Sequence, residues 1–202
     1  MPVSINFQSL PTKQQQLINA ARELFCKHGT HRVTIKEICK SADVSKMTYY
    51  KYFNNKWDIC KAVLDVLFYE AHNLFNEIVE EDIPLSKKVE KMLKFISARF
   101  NAVETAFINE DLFNEDSPVH QYFLELHKKS KELVIVFFKN AQSKGLIHSD
   151  IQMPFLFFML DHLPDLVNHP DFIKIMPNIE DRIYQLSALF FHGFTRTPAK
   201  AE

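Results

Sequence analysis

The sequence predicts an all-α fold, in which a small three-helix head with a helix-turn-helix is followed by a larger α-helical body. Composition supports this fold, because only 3 of the 202 residues are glycine, whereas 19 are phenylalanine and 47% are hydrophobic. Apolar residues also recur at helical spacing through most of the chain. Finally, residues 34–56 contain two helix-start signals that flank a segment too short for anything but a tight turn.

The first helix of the head is predicted from an apolar stripe that follows residue 12. Thr12 and Gln15 have the spacing of a capping box, and Gly29 is suited to end the helix in a left-handed conformation. The stripe would brace the two helices that follow, and it consists of Leu17, Ile18, Ala21, Leu24 and Phe25.

The second helix of the head has the clearest start signal. Thr34 and Glu37 form a capping box, and the helix is predicted to end near Ser41. The turn that follows needs a residue with a positive φ. Asp43 is the best candidate, because Asp enters the left-handed region more readily than most other non-glycine residues.

A recognition helix is predicted over residues 45–53, with Ser45 as its cap. Tyr49 and Phe53, four residues apart, fall on its inner side. Its outer side offers cations, hydroxyls and a thioether, and it comprises Lys46, Met47, Thr48, Tyr50 and Lys51. These groups suit the phosphates and base edges of a DNA major groove. An ordinary solvated helix pair is the alternative, but the coincidence of two caps, a tight turn and a basic face favours DNA binding.

Charge is distributed unevenly between the two parts of the chain. Residues 1–60 contain 9 Lys and Arg against 4 Asp and Glu, and they therefore carry a net charge of +5, whereas the remainder carries −6. A basic head on an acidic body is the pattern expected of a DNA-binding protein whose body does not adhere to DNA.

The sequence A-D-V-S-K-M-T-Y-Y-K-Y-F-N-N-K, which ends at Lys56, resembles the recognition segment of the TetR-type bacterial transcriptional regulators. That segment reads roughly A-G-V-S-K-G-T-L-Y-x-Y-F-x-x-K. Chain length and helical layout fit the family from about Lys13 to the C-terminus. Two residues depart from the pattern, since Asp43 replaces the turn glycine and Met47 replaces a glycine that lets the helix approach DNA closely.

The resemblance implies a DNA-binding domain over residues 1–54 and an effector-binding and dimerisation domain over residues 55–202. Together with the outward-facing lysine at position 51, it implies DNA contacts at Thr34, Ser45, Lys46, Met47, Thr48, Tyr50, Lys51, Tyr52 and Lys56.

Six segments of the body are predicted to be helical. Their signals are an Asn55 cap, a proline at position 84, a Ser117 cap with Pro118 after it, and a stop at Gly145. Pro164 is expected to kink or end one of the later helices. The segments are residues 56–80, 84–100, 106–113, 117–145, 154–163 and 178–194, of which 106–113 is the shortest helix candidate.

The last two long segments are apolar on more than one side, which predicts that a partner chain covers part of them. In the TetR family the last two helices of each subunit form a four-helix dimer interface. The residues expected at such an interface are Phe155, Met159, Ile183, Leu186, Phe190 and Phe194.

Sixteen of the 19 phenylalanines follow Cys60, and most of them are expected to be plain core. The resemblance implies a small-molecule pocket in the body, and a phenylalanine-rich lining would favour an apolar or aromatic effector. The candidate lining residues are Phe95, Phe100, Glu104, Phe107, Phe123, His127, Phe137, Phe158, Asp161 and His162.

No catalytic, phosphate-loop or dinucleotide motif is found, and three widely spaced cysteines predict reduced buried thiols rather than a metal site. We therefore expect no enzyme activity and no cofactor. A cytoplasmic location is expected, because no signal or membrane-spanning segment is seen. The leading hypothesis is a ligand-responsive, homodimeric repressor that binds a palindromic DNA operator. The alternatives are an effector-independent architectural DNA-binding protein of the same fold, and a carrier or enzyme for apolar molecules whose head binds a partner protein.

Overall fold

The computed structural model describes residues 7–101 and 115–194, with side chains described except at 96–101, 164, 187 and 190–194. Every regular element in this part of the chain is helical, which confirms the all-α prediction. A single 3-10 turn at Phe7–Ser9 comes first. The helices are α1 (Thr12–His28), α2 (Ile35–Ser41), α3 (Lys46–Tyr49), α4 (Lys56–Glu80), α5 (Leu85–Asn101), α6 (His120–Ser143), α7 (Met153–Val167), α8 (Pro170–Ile175) and α9 (Ile179–Phe194).

The described residues fall into two compact units. One comprises residues 7–74, 101 and 115–130, and the other comprises residues 75–100 and 131–194. The first unit is larger than the DNA-binding domain predicted over residues 1–54, because parts of α4 and α6 pack into its core. The boundary at residue 54, which concerns function, stays a prediction.

The core of the first unit joins α1, α2 and α3 to α4 and to the first half of α6. Phe25, Ile38, Tyr49 and Ile59 are fully or almost fully buried within it, and Leu126 of α6 is buried with them. The three cysteines form no disulfide and are buried, as the sequence predicts, and all three lie in this unit. The helix-turn-helix is therefore fixed to a core to which the body helices contribute.

The core of the second unit is built on α5, α6, α7 and α9. Val89, Phe138, Leu156 and Ile183 are buried together in it. Arg182, also buried, donates hydrogen bonds from Nε to the carbonyl oxygen of Val167 (2.7 Å) and from Nη1 to those of Met176 and Pro177 (2.7 Å each). These bonds hold the end of α7 and the residues after α8 against α9.

Several predicted helix ends are confirmed. Asn55 caps α4, since its Oδ1 accepts the backbone N–H of Asp58 (3.0 Å). At the end of α6, Gly145 has a φ of 72°, and Leu146 N–H bonds to the carbonyl of Ala141 (3.0 Å). This is a Schellman ending, in which glycine accepts the left-handed conformation without steric cost.

Other predicted ends are wrong. Thr12 does not cap α1, because Pro11 occupies the cap position and no side-chain bond forms there; Gln15 instead donates to the carbonyl of Leu10 (2.7 Å). Helix α6 begins at His120 rather than directly after Ser117. Helix α7 continues past position 164 to Val167, so it does not end at the proline, and the alternative of a kink there stays a prediction.

A buried acid joins two helices of the first unit. Tyr122 of α6 donates a hydrogen bond from its phenol to Oδ1 of Asp65 on α4, and Asp65 is 8% exposed. Burial raises the pKa of Asp65, while the Tyr122 hydrogen bond and the nearby charge of Lys129 oppose that rise. The Lys61 ammonium lies 5.5 Å from the centre of the Tyr122 ring.

This contact makes the stability of the protein depend on pH in a definite direction. Because the pKa of Asp65 is higher in the folded than in the unfolded chain, protonation favours folding, and that stabilisation is lost as pH rises through the raised pKa. We expect Asp65→Asn, which cannot ionise and still accepts the Tyr122 bond, to unfold about 2–4 °C above the unmodified protein near pH 8. The difference is expected to shrink as the pH falls towards about 4.

Thermal unfolding followed by circular dichroism at several pH values measures the effect. Tyr122→Phe is the control, because it removes the donor to the carboxylate and is expected to lower stability more near pH 8 than near pH 4. A melting difference between Asp65→Asn and the unmodified protein that does not vary with pH would contradict this account.

Candidate nucleic-acid interface

The start of α2 is closed by a complete capping box. Thr34 Oγ1 accepts the backbone N–H of Glu37 (3.3 Å), and Glu37 Oε2 accepts the backbone N–H and the hydroxyl of Thr34 (2.8 Å each). The backbone and side-chain hydrogen bonds from Thr34 lower the pKa of Glu37. The capping box is therefore held by an ionised carboxylate, and both polar groups of Thr34 have protein partners.

The turn between α2 and α3 has the conformation that the sequence predicts. Asp43 has a φ of 51°, which makes it the one non-glycine residue with a positive φ in the described ranges. The backbone N–H of Val44 bonds to the carbonyl of Cys39 (2.9 Å), and this bond closes the end of α2. Val44 is buried, so the turn directs the chain back to the core before α3 begins.

Helix α3 is short and is strongly capped. Ser45 Oγ accepts the backbone N–H of Thr48 (3.1 Å) and lies 2.9 Å from Thr48 Oγ1. The regular α-helix ends at Tyr49, and the predicted length to residue 53 is completed by a tighter turn, in which Tyr52 N–H bonds to the carbonyl of Tyr49 (3.0 Å).

Tyr49 anchors α3 to the rest of the head. Its side chain is completely buried, and its ring lies 5.5 Å from that of Phe53. Its phenol donates to the carbonyl oxygen of Asn55 (3.0 Å), and burial raises its pKa. Because Asn55 caps α4, one side chain couples the orientation of α3 to the start of α4.

Four of the five residues predicted on the outward face of α3 are exposed. Met47 is 77% exposed and Tyr50 is 54% exposed, and the Tyr50 ring rests edge-on against that of Tyr49 at 5.4 Å. Lys46 and Lys51 are exposed as well. Thr48 is half-buried, and Tyr52 is partly buried against the core of the unit. Other exposed cations of the head include Lys27, Arg32, Lys36 and Lys40.

Lys56 has a structural role that the sequence does not predict. Its ammonium donates to the carbonyl oxygens of Thr30 (2.7 Å) and Val33 (3.3 Å) and lies 5.1 Å from the centre of the Trp57 ring. It thereby ties the loop between α1 and α2 to the start of α4. A lysine has three N–H donors, so one remains for a phosphate contact. The predicted contact with DNA at Lys56 stays a prediction.

The residues proposed to line a pocket lie in different places. Phe123 and His127 belong to the first unit, with their rings 5.8 Å apart. Phe137 belongs to the second unit, where its ring lies 5.8 Å from Phe75 and 5.1 Å from Phe138. The half-buried Phe95 is also in the second unit.

Three further pocket candidates are surface residues of α7. Phe158 is 59% exposed, and its ring lies 4.5 Å from that of the exposed His162. The carboxylate of Asp161, also exposed, pairs with the ammonium of Lys131. The remaining candidates, Glu104, Phe107 and the side chain of Phe100, lie outside the described residues.

The residues expected at a dimer interface differ in how far they are exposed. Phe155 is 58% exposed, and Met159 and Leu186 are half-buried. Ile183 is a correction, because it is 2% exposed inside the core of its own unit and has no surface to offer a partner. The side chains of Phe190 and Phe194 lie outside the described residues. Among the described side chains of α7 and α9, further exposed apolar residues are Phe158, Leu166, Tyr184 and Leu189.

Comparison with known proteins gives consistent results. Residues 17–63 match the family model of the bacterial regulatory proteins of the tetR family. The chain is 29% identical over 146 residues to the HTH-type transcriptional regulator UidR of Escherichia coli strain K12. The aligned region covers 71% of this chain and 73% of that protein. It is 31% identical over 122 residues to the fatty acid metabolism regulator protein of Bacillus subtilis strain 168, and this aligned region covers 60% of each chain.

A solved structure shows the same fold. The transcriptional regulator FadR from Bacillus subtilis, in complex with stearoyl-CoA, superposes with a TM-score of 0.72 at 19% identity. The superposition covers 88% of this chain and 97% of that one. The helix-turn-helix head and helical body therefore form one known architecture. Within the described residues, no helix combines the length and apolar character needed to cross a bilayer.

The two carbonyl bonds of Lys56 predict a loss of stability on substitution. Lys56→Met removes both donors, and Thr30 is fully buried, so we expect the free energy of unfolding to fall by about 1–3 kcal/mol. Lys46→Met is the matched control, because Lys46 is exposed, and we expect it to change stability by less than about 0.5 kcal/mol. Urea unfolding followed by circular dichroism compares the two variants. Equal midpoints would mean that the Lys56 bonds do not stabilise the head.

Proposed function

The chain belongs to the TetR family of bacterial transcriptional regulators, and we propose that it is a ligand-responsive repressor that binds a palindromic operator as a homodimer. It is a DNA-binding regulator and not an enzyme. The observation that carries the proposal is the fixed geometry of the helix-turn-helix, α2–turn–α3. Two side-chain caps and the buried Tyr49 hold the helix-turn-helix in place, while its cations and Met47 are exposed.

Helix α3 is the element that we place in the major groove. In a helix-turn-helix the second helix lies in that groove with its N-terminal residues towards base edges, and the first helix crosses the backbone. The exposed ammonium groups of Lys46 and Lys51 would then bond phosphates on either side. Thr34 and Lys56 would contribute at the starts of α2 and α4. A chromosomal operator as target places the protein in the cytoplasm.

The exposed apolar residues of α7 and α9 support a homodimer. Phe155, Phe158 and Leu166 follow one another on α7 at helical spacing, and Tyr184 and Leu189 are exposed on α9. Such a surface is costly to leave in water and suits a partner chain. A two-fold dimer would present two copies of α3, which a palindrome with half-sites one or more helical turns apart can accept.

We propose an effector with a long apolar chain. The second unit contains a run of ring contacts from Phe75 through Phe137 and Phe138 to Phe157, with centroids 5.1–6.4 Å apart. Half-buried Phe75, Phe137 and Phe157 could be parted by an apolar guest more readily than a fully buried core. One relative is a fatty acid metabolism regulator, and one structural neighbour is in complex with stearoyl-CoA. A long-chain acyl-CoA is therefore the first candidate.

The effector would act by a shift of population. A ligand changes DNA binding only as far as it binds one conformation of the protein better than another. The acyl-bound form would hold the two heads at a separation that does not match the half-sites. Without acyl ligand, the protein would stay on the operator and repress transcription.

The assignment of Lys46 to a phosphate can be tested by salt dependence. We expect Lys46→Ala to weaken binding to the operator. Each phosphate contact contributes about 0.9 to the steepness of log affinity against log salt, so the loss of one contact in each of two subunits is expected to reduce that steepness by about 2. Fluorescence anisotropy on an operator selected from random DNA measures both, and sedimentation of the complex is expected to give two chains per operator.

The control for this measurement is Lys139→Ala, which removes an exposed lysine of α6 in the second unit and is expected to change neither affinity nor slope. Tyr50→Phe tests whether the exposed phenol contributes a further hydrogen bond. Unchanged affinity for Lys46→Ala at fixed salt would remove Lys46 from the interface.

Effector response is tested by adding stearoyl-CoA to the protein–operator complex. We expect release of DNA and a rise in the melting temperature of the free protein, because a ligand that binds the folded chain stabilises it. Free CoA is the control for the head group, and stearate is the control for the acyl chain. Specific DNA binding with no response to any of the three would favour the effector-independent alternative.

A further inference from the structure

We propose that Met47 is the principal base-reading residue of α3 and that it reads the 5-methyl group of a thymine in each half-site. The inference deepens the proposed function, since it rests on α3 entering the major groove. Ser45 is the cap of α3, so Met47 is the second residue of the helix. The first turn of a recognition helix is where side chains reach base edges.

The hydroxyls near Met47 are already engaged. Ser45 Oγ accepts the backbone N–H of Thr48, and the hydroxyls of these two residues lie 2.9 Å apart, at hydrogen-bonding distance. On α2 the hydroxyl of Thr34 donates to Glu37 (2.8 Å). Turning the hydroxyl of Thr34 or Ser45 towards a base would break a cap, and turning that of Thr48 would break its contact with Ser45. These hydroxyls therefore hold the helices in shape rather than read the sequence.

The planar side chains that read bases through paired hydrogen bonds are missing from this face. The sequence from Ser45 to Lys51 contains no arginine, which pairs with guanine, and no asparagine or glutamine, which pair with adenine. Its cations are the lysines at positions 46 and 51, whose flexible ammonium groups suit phosphates as point charges. The face is poor in groups that would read a base by paired hydrogen bonds.

Two large apolar side chains are exposed on this face, Tyr50 at 54% and Met47 at 77%, and Met47 is the one that lies in the first turn of α3. The methyl group of thymine is the apolar feature of the major-groove edge. A thioether on an unbranched chain adapts to such a target without a fixed geometry. A single exposed methionine can also be without function, and replacing thymine by uracil distinguishes the two cases because uracil lacks only the methyl group.

The experiment uses the full chain and an operator selected from random DNA by that chain. Each thymine is replaced in turn by deoxyuridine, in one half-site and then in both. We expect one thymine position, the same in each half-site, at which the replacement weakens binding. The loss is expected to be about fourfold for one half-site, which is the affinity that the burial of one methyl group contributes, and about fifteenfold for both. A cytosine at that position is expected to bind better when it carries a 5-methyl group.

Variants assign the effect to Met47. Met47→Ala is expected to bind thymine and uracil operators equally, and Met47→Leu is expected to keep a preference for thymine. Both substitutions are at an exposed position, and circular dichroism is expected to show unchanged helix content and melting.

Three results would overturn the inference. One is a selected operator with no thymine whose replacement weakens binding. Another is a uracil penalty that Met47→Ala retains in full, which would assign the methyl contact to a different residue. The third is failure to select any sequence, which would overturn the proposed function together with the inference and is recognised before any uracil is introduced.

Discussion

The burial of Tyr49 and Ile38 is the constraint on which the rest of the head depends. Helices of 7 and 4 residues, such as α2 and α3, are too short to persist in water alone. Each contributes one side chain that is completely buried, and the phenol of Tyr49 also bonds to the carbonyl of Asn55 at the start of α4. The outward surface of α2 and α3 is therefore held by tertiary packing rather than by the stability of these helices.

This arrangement divides the polar groups of the head by task. The hydroxyls of Thr34, Ser45 and Thr48 bond to caps or to one another, and the ammonium of Lys56 bonds to two carbonyls of the preceding loop. What remains on the outside is a set of lysines together with Met47 and Tyr50. Because the backbone that carries them is already fixed, binding costs only the ordering of these side chains, which favours affinity from a small surface.

Two body helices, α4 and α6, contribute to the core that holds the head. Leu126 of α6 lies in the same core as Tyr49, and Tyr122 bonds to Asp65 of α4. The helix-turn-helix and the first half of α6 therefore share one packed core.

The sequence alone determined the local features of this protein. The Thr34 capping box, the Ser45 cap, the positive φ of Asp43 and the Gly145 ending involve partners within a few residues, so their spacing is visible in the chain. Tertiary structure decided the rest. The partners of Lys56 lie 23 and 26 residues away and the partner of Tyr122 lies 57 residues away, and no local period encodes such pairs. Helical spacing likewise marked Ile183 and Phe158 as apolar, but only packing buries the first and exposes the second, because which side of a two-sided helix meets its own core is set by its neighbours.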